Sequence, residues 1–386
     1  MVEWSGRSDT GRSNKQTDAA RKGEFIPAAR KILAPGAGRG HNSLLQNMAT
    51  PLKILAIQFK YFGDAVLLTP ALRALREHFP NAELHLLVSE EIAPIFQHLP
   101  WLNRLWPMPR QRGRARIKES WPVIRALRRE HFDRSVDFAG NDRGAILSFL
   151  AGARQRLGWA QRGGFLGRRF CYHQRVVPDN KLEHESARMM HLLSAWDIAP
   201  GPLEPEIQSD PALDAAAAKL LPEHAVLCHI TSSQPKKEWP VRHWAAFYRL
   251  AAQAGYPLIL NTGGGPREQA LLDELRRLIP GAPALSPALD RATFLAVLKR
   301  ARVFISGDTG PLHFAAGLGV PTIALFGPTP AARWAPIGKR HQILTGSACG
   351  CDGNTAACTG PSHCLAAISP EKVFDGLQKI VSETGG

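Results

Sequence analysis

No stretch of this chain of 386 residues approaches the roughly 18 consecutive apolar residues of a membrane-crossing helix, so any membrane contact is expected to be peripheral. The first 50 residues lack the apolar core of a secretory signal; they are polar, small and basic, and are expected to form a disordered tail, with Met48 as an alternative start. No self-similarity at a period of about 20–50 residues is evident, which sets aside solenoids and propellers. Helix-turn-helix, zinc-finger and ribonucleoprotein signatures are also missing, so nucleic acid is not an expected partner.

What is present describes an ordinary soluble globular protein, with 44% apolar and 21% charged residues. The length exceeds what one core usually serves, so two domains are expected. The net charge of +15 is unevenly placed: +4 falls in residues 1–50, +9 in 51–200 and only +2 in 201–386. Arg110, Arg112, Arg114, Arg116 and Lys118 form one basic loop, and Arg162, Arg168 and Arg169 another. A surface of this kind attracts an anionic lipid, polymer or phosphorylated saccharide, unless it serves only solubility.

Strand-like and helix-like segments alternate twice along the chain. The first series runs from Lys53–Phe59 through Glu83–Val88, a helix over 119–130, Arg134–Phe138, a helix over 144–150 and Arg156–Trp159. Pro200-Gly201-Pro202-Leu203-Glu204-Pro205 interrupts it, and a helix over 210–221 opens a second series with strands at Val226–Ile230, Pro257–Leu260, Val303–Ser306 and Thr322–Phe326. The expected architecture is α/β: a tail over 1–50 and two Rossmann-like, doubly wound parallel-sheet domains, 51–205 and 206–386, facing a central cleft. A final helix, 370–382, could remain on the second domain or cross to the first.

Four loops that follow strands carry the candidate chemistry. Gly307-Asp308-Thr309-Gly310-Pro311-Leu312-His313 reads as a strand end, a turn and a helix start, where small residues let the backbone approach an anion and unpaired N–H groups attract phosphate. Asp308 and Thr309 could instead simply cap that helix. Asp64, after the first strand and Gly63, is positioned either as a general base or as a cap. Thr231-Ser232-Ser233-Gln234-Pro235-Lys236-Lys237 offers hydroxyls and two ammonium groups suited to a diphosphate, unless it is a solvated loop. Glu268, after Gly263-Gly264-Gly265, suits ribose hydroxyls or is a first-turn helix charge.

Taken together, Gly63-Asp64 with Thr69-Pro70, Asp137 to Arg143, Lys237-Glu238-Trp239 and Asp308 to Ala316 resemble glycosyltransferase family 9, the ADP-heptose:lipopolysaccharide heptosyltransferases, over about residues 52–383. Gln58 to Asp64 is closer to the heptosyltransferase III type. The resemblance implies a GT-B fold, with an anionic lipopolysaccharide or other saccharide acceptor on the first domain and ADP-heptose on the second. It implies Asp64 as the base on the acceptor hydroxyl, and Thr231, Ser232, Lys237 and the backbone at Thr309-Gly310 as holders of the donor phosphates. Asp308 would position the donor, and Glu268 would bind the adenosine ribose. His313 would contact the donor or only pack the turn.

The Thr231–Lys237 loop looks about one residue longer than in some relatives, so Lys236 could stand in for Lys237. No Asp-x-Asp triplet occurs, and neither metal nor cofactor is expected, in keeping with inverting, metal-independent GT-B chemistry. Cys349, Cys351, Cys358 and Cys364 could nevertheless hold zinc or iron, although C-x-C is awkward beside the usual C-x2-C spacing; otherwise they are reduced thiols of a family loop. The family implies a cytoplasmic enzyme at the inner face of the inner membrane. A UDP-sugar transferase or epimerase, or a non-catalytic nucleotide-sugar binder, are the alternatives.

Overall fold

The computed structural model describes residues 51–109, 117–161, 163–179, 181, 183–286, 289–347 and 363–384. The expected tail, the arginines of the 110–116 loop, Arg162, Cys349, Cys351 and Cys358 lie outside them.

The first half runs β1 (Lys53–Ile57), α1 (Phe62–Leu67), α2 (Thr69–His78), β2 (Glu83–Ser89), β3 (Arg104–Met108), α3 (Ile117–Arg129), β4 (Arg134–Asp137), α4 (Asp142–Ala151), β5 (Gln155–Trp159), β6 (Gln174–Val176) and α5 (Glu185–Leu192). The second runs α6 (Asp214–Leu220), β7 (Val226–His229), α7 (Val241–Gln253), β8 (Leu258–Asn261), α8 (Pro266–Leu278), α9 (Arg291–Lys299), β9 (Val303–Gly307) and α10 (Gly310–Gly317). It closes with β10 (Thr322–Phe326), α11 (Ala331–Trp334), β11 (His341–Thr345), α12 (His363–Ala366) and α13 (Pro370–Thr384).

Among the described residues, six strands form one parallel sheet in the order β3-β2-β1-β4-β5-β6, and five form another in the order β11-β10-β9-β7-β8. These are two parallel-sheet α/β domains. Helices cover both faces, so central strands such as β1 (KILAI) and β10 (TIALF) are almost wholly buried and read as continuous apolar runs. The elements that the sequence alternation passes over include β3, β6 and β11, each at a sheet edge. Pro107 sits within β3, a position an edge strand tolerates because one side of its ladder is unpaired.

The polar ends of helices are closed locally. Asn141 accepts from the Gly144 N–H at 2.9 Å to start α4, and Gly152, at φ 73°, ends it in the left-handed region. The α13 helix packs on α7 and the second sheet, burying Val373, Leu377 and Ile380 in that half's core.

Behind the first sheet's cleft loops, the Tyr172 hydroxyl donates to Asp137 Oδ2 at 2.5 Å, and Asp137 Oδ1 accepts from the Ala139 N–H. Complete burial pushes the Asp137 carboxyl up to about 6, despite these donors. A Cβ at Gly158 would overlap the Tyr172 ring. Gly158→Ala is therefore expected to destabilise the protein by about 1–3 kcal/mol, the range for overpacking a core, measured by denaturant unfolding. An unchanged midpoint would show that the ring moves aside freely.

Candidate active site

In a doubly wound sheet the ligand crevice opens where successive connections leave in opposite directions. In the first sheet that point lies between β1 and β4, which are followed by Asp64 and by Asn141 and Arg143; in the second it lies between β9 and β7, which are followed by Asp308 and Lys237. All these residues line one cleft of about 1320 Å³, larger than the roughly 300–1000 Å³ of a single small-molecule site. The cleft has room for two substrates.

The two crevices meet because α1 packs directly on α10. The Phe62 and Phe314 rings stand edge to face at 6.1 Å, and a Cβ at Gly63 would lie 2.7 Å from His313 Cδ2. Only glycine at 63 permits that approach. Asp64 thus belongs to the first turn of α1 rather than capping a helix, and is 6% exposed. Burial and the neighbouring Glu185 raise its pKa, against the opposing pull of Lys60, 3.8 Å away, and His313. A carboxylate that is costly to keep charged is a stronger base.

On the opposite wall Lys237 Nζ donates to Asp308 Oδ2 at 2.6 Å, and His313 Nε2 lies 3.8 Å from Asp308 Oδ1. Burial would push Asp308 up, but His313 and Lys237 overcome it and hold the carboxyl well below the usual range. His313 is buried and sits between the two carboxylates; its Nδ1 has no hydrogen-bond partner among the described residues. Neither Asp308 nor Thr309 caps α10: Thr309 is the N-cap residue without a side-chain bond, and its hydroxyl pairs instead with Ser306 Oγ at 2.9 Å. The simple capping alternative for this turn therefore does not hold.

The loop that presents Lys237 is fixed from behind. Glu238 Oε1 accepts from the Ser232 N–H at 2.7 Å, and both its oxygens accept from Arg267, at 2.8 and 2.9 Å. Trp239 is buried, and its indole N–H donates to the Ile368 carbonyl at 2.9 Å. The Lys237-Glu238-Trp239 motif thus consists of one residue for the cleft and two for its support. Gly307 is small because a Cβ there would stand 2.7 Å from the Lys237 carbonyl.

Of the other sequence candidates, Ser232, Glu268, Thr309 and Gly310 line the cleft. Glu268 also accepts from the Gly265 N–H at 3.0 Å, so it caps its own helix while facing the cleft. Thr231 is buried beneath, accepting from Gly263 N–H at 3.1 Å, and Lys236 is not among the lining residues; Lys237 is the ammonium at the site. Cys364, the described member of the cysteine cluster, is buried.

Several participants escape sequence reasoning. His229 lies at the end of β7, held at 2.8 Å from Asn261, and burial keeps its imidazole low, at about 4. Arg291 of α9 lays its guanidinium 4.0 Å over the Phe62 ring. Glu185, buried, joins the halves: it accepts from Arg333 at 2.9 and 3.2 Å and lies 3.5 Å from Lys60, while His184 Nε2 meets the Ala335 carbonyl at 3.0 Å. Lys60 stands four residues before Asp64, a spacing visible in the sequence; nothing in the sequence pairs Glu185 with Arg333.

Glu185 therefore positions Lys60 and helps to keep Asp64 basic. Glu185→Gln removes the like charge and leaves Lys60 to Asp64, so the Asp64 pKa should fall. For a base at Asp64, the role that the sequence resemblance implies, the acid limb of the pH–rate profile is expected to move to lower pH, with turnover at neutral pH down on the order of tenfold. An unmoved acid limb would reduce Glu185 to a structural clasp.

With this geometry in place, the comparisons with known proteins are direct. Residues 120–357 match the family model "Glycosyltransferase family 9 (heptosyltransferase)". The chain is similar to lipopolysaccharide heptosyltransferase 2 of Salmonella typhimurium, 24% identical over 86% of this chain and 100% of that protein. Its fold is that of a family 9 glycosyltransferase from Veillonella parvula (TM-score 0.77, 20% identity, 87% and 99% of the two chains). It is likewise that of the E. coli ADP-heptose lipopolysaccharide heptosyltransferase II (TM-score 0.70, 20% identity, 87% and 100%). The two parallel-sheet domains are thus a GT-B fold.

Proposed function

Since the chain belongs to glycosyltransferase family 9 and is a glycosyltransferase, we propose that it moves a heptose from ADP-heptose to a lipopolysaccharide core saccharide, with inversion and without a metal ion. The observation that carries this reading is the contact of α1 with α10, which sets a buried carboxylate opposite an ammonium and an uncapped helix start. The first domain takes the acceptor and the second the donor.

In this reaction Asp64 takes the acceptor hydroxyl proton as the oxygen attacks the anomeric carbon. The bond from that carbon to the diphosphate breaks on the opposite face, and ADP leaves with the electron pair. Lys237, held in place by Asp308, and the N–H groups at Thr309-Gly310 receive the developing negative charge. These groups supply the stabilisation a metal would otherwise provide. Ser232 and Glu268 face the nucleotide, and Thr231 supports them from below. Relatives named for lipopolysaccharide support a lipid-borne acceptor. Its anchor would bring the enzyme to the cytoplasmic face of the inner membrane as a peripheral protein.

The test is ADP release from ADP-heptose by the purified protein, with and without a heptose-deficient lipopolysaccharide, in the absence of divalent metal. Acceptor-dependent release with an inverted anomeric product is expected. Release that needs added metal would overturn the metal-independent mechanism, and a fold stabilised by UDP but not ADP would overturn the donor.

A further inference from the structure

Several large apolar side chains of the first half are exposed on one side of α4. Ile146 and Phe149, one turn apart, are 44% and 53% exposed, and the segment packed beside them presents Phe165, Leu166 and Phe170 at 39%, 103% and 68%. Helical residues three apart share a face, and the Arg168–Cys171 turn packs on the same helix, with Arg156 reaching from the Phe149 ring to the Cys171 carbonyl at 2.7 Å. Single exposed apolar residues need no explanation, but a cluster of this kind marks an interaction site.

The segment is built into the fold. Arg168 donates to the Gly140 carbonyl and pairs with Asp142 at 3.6 Å, the Phe165 N–H donates to Asp142 Oδ1 at 3.4 Å, and Tyr172 is anchored on Asp137. These ties fix it to the loop that places Asn141 and Arg143 in the cleft. The apolar surface therefore borders the acceptor side of the site.

Its surroundings are cationic. The sequence from 117 to 175 carries twelve Lys and Arg against five Asp and Glu; of the twelve, Arg134 lies elsewhere, against the Phe79 and Trp196 rings, and Arg143 in the cleft. Arg169 lies 4.7 Å over the Phe170 ring and Arg156 5.5 Å over Phe149, while Arg125, Arg128, Arg129 and Arg175 are exposed. Of the nearby acids, Asp142 pairs with Arg168 and Asp133 with Arg154, and Asp137 is buried. Rings that bear guanidinium groups at their faces suit a boundary where apolar groups enter hydrocarbon and cations stay among headgroups.

We infer that Ile146, Phe149, Phe165, Leu166 and Phe170, with the arginines around them, form the docking surface for an anionic phospholipid bilayer. Charge complementarity decides the occupant: a neutral apolar partner gives no use for the cations, and a second copy of this basic surface would repel it. The inference deepens the reading of a lipid-borne acceptor and rests on it for its purpose, since a bilayer held here would lie beside the acceptor wall of the cleft.

The experiment is sedimentation of the full chain with vesicles of phosphatidylcholine, with or without phosphatidylglycerol, and with no donor or acceptor present. The wild type is expected to bind the anionic vesicles, less so at high salt. Leu166→Ser with Phe170→Ser, and separately Arg169→Glu, should each weaken binding at least about tenfold. Each variant should keep a cooperative unfolding transition like that of the wild type. Equal binding to both vesicle types, variants that bind like the wild type, or variants that change only the oligomeric state in solution would each overturn the inference. Transfer activity is not the readout, so a wrong donor or acceptor would leave the result interpretable.

Discussion

Asp64→Asn is expected to lower turnover at least about a hundredfold while leaving ADP affinity nearly unchanged. Asparagine keeps the size and the acceptor oxygen but cannot take a proton, and Asp64 belongs to α1 rather than to the Thr231–Lys237 or Thr309-Gly310 segments assigned to the phosphates. The wild-type enzyme should also lose activity on acidification, at a higher pH than an exposed aspartate would set, because burial raises the group that must be ionised. That limb should vanish from the residual activity of the variant. Steady-state turnover across pH, with ADP binding by thermal shift, decides it. Equal losses in binding and turnover would make Asp64 a structural residue.

Lys237→Ala should cost about a hundred- to a thousandfold in turnover, the scale for removing one preorganised stabiliser of developing charge. Its second effect separates this position from Asp64. Asp308 is held ionised by its neighbours, so removing the ammonium leaves a buried carboxylate short of a partner, at an expected cost of about 3–5 kcal/mol of stability. Adding Asp308→Asn should recover most of that stability and none of the activity. Unfolding curves for the single and double variants, beside their turnover, separate the two roles of the pair. If the double variant stays as unstable as the single, the ion pair is not what holds the loop. If Lys237→Ala keeps its turnover, the leaving charge is neutralised elsewhere.

How much could be read beforehand depended on where a residue lies. Central strands announce themselves: Lys53–Ile57, Val226–His229 and Thr322–Phe326 are apolar runs followed by small or polar turns, because both faces of a parallel strand are covered. Edge strands carry no such run. Gln174–Val176 is three residues long and largely exposed, and Arg104–Met108 contains a proline that argues against a strand until its edge position is known.

The candidate site divides in the same way. Lys237 and Asp308 stand in the segments directly after apolar strands, and Asp64 in the first turn of the helix that follows one, where alternation alone places ligand-facing residues. What Glu238 does could not be read there, since its partners, Ser232 N–H and Arg267, come together only when the loop folds back on α8. The choice between Lys236 and Lys237 also required three dimensions: adjacent residues point in different directions, and one of the two reaches Asp308.

By itself, then, the sequence determined the alternating α/β plan, the strand ends that carry chemistry and the basic character of the first half, because these follow from local periodicity and residue type. Tertiary structure alone decided that α1 lies against α10, that His313 falls between two carboxylates, and that Glu185 meets Arg333 across 148 residues of chain. It alone decided, too, that large apolar side chains of α4 and of the segment around the turn packed on it stay exposed. The physical reason is that a pKa, a buried ion pair and a contiguous surface depend on distances between segments, and those are set by how the two sheets pack rather than by neighbours along the chain.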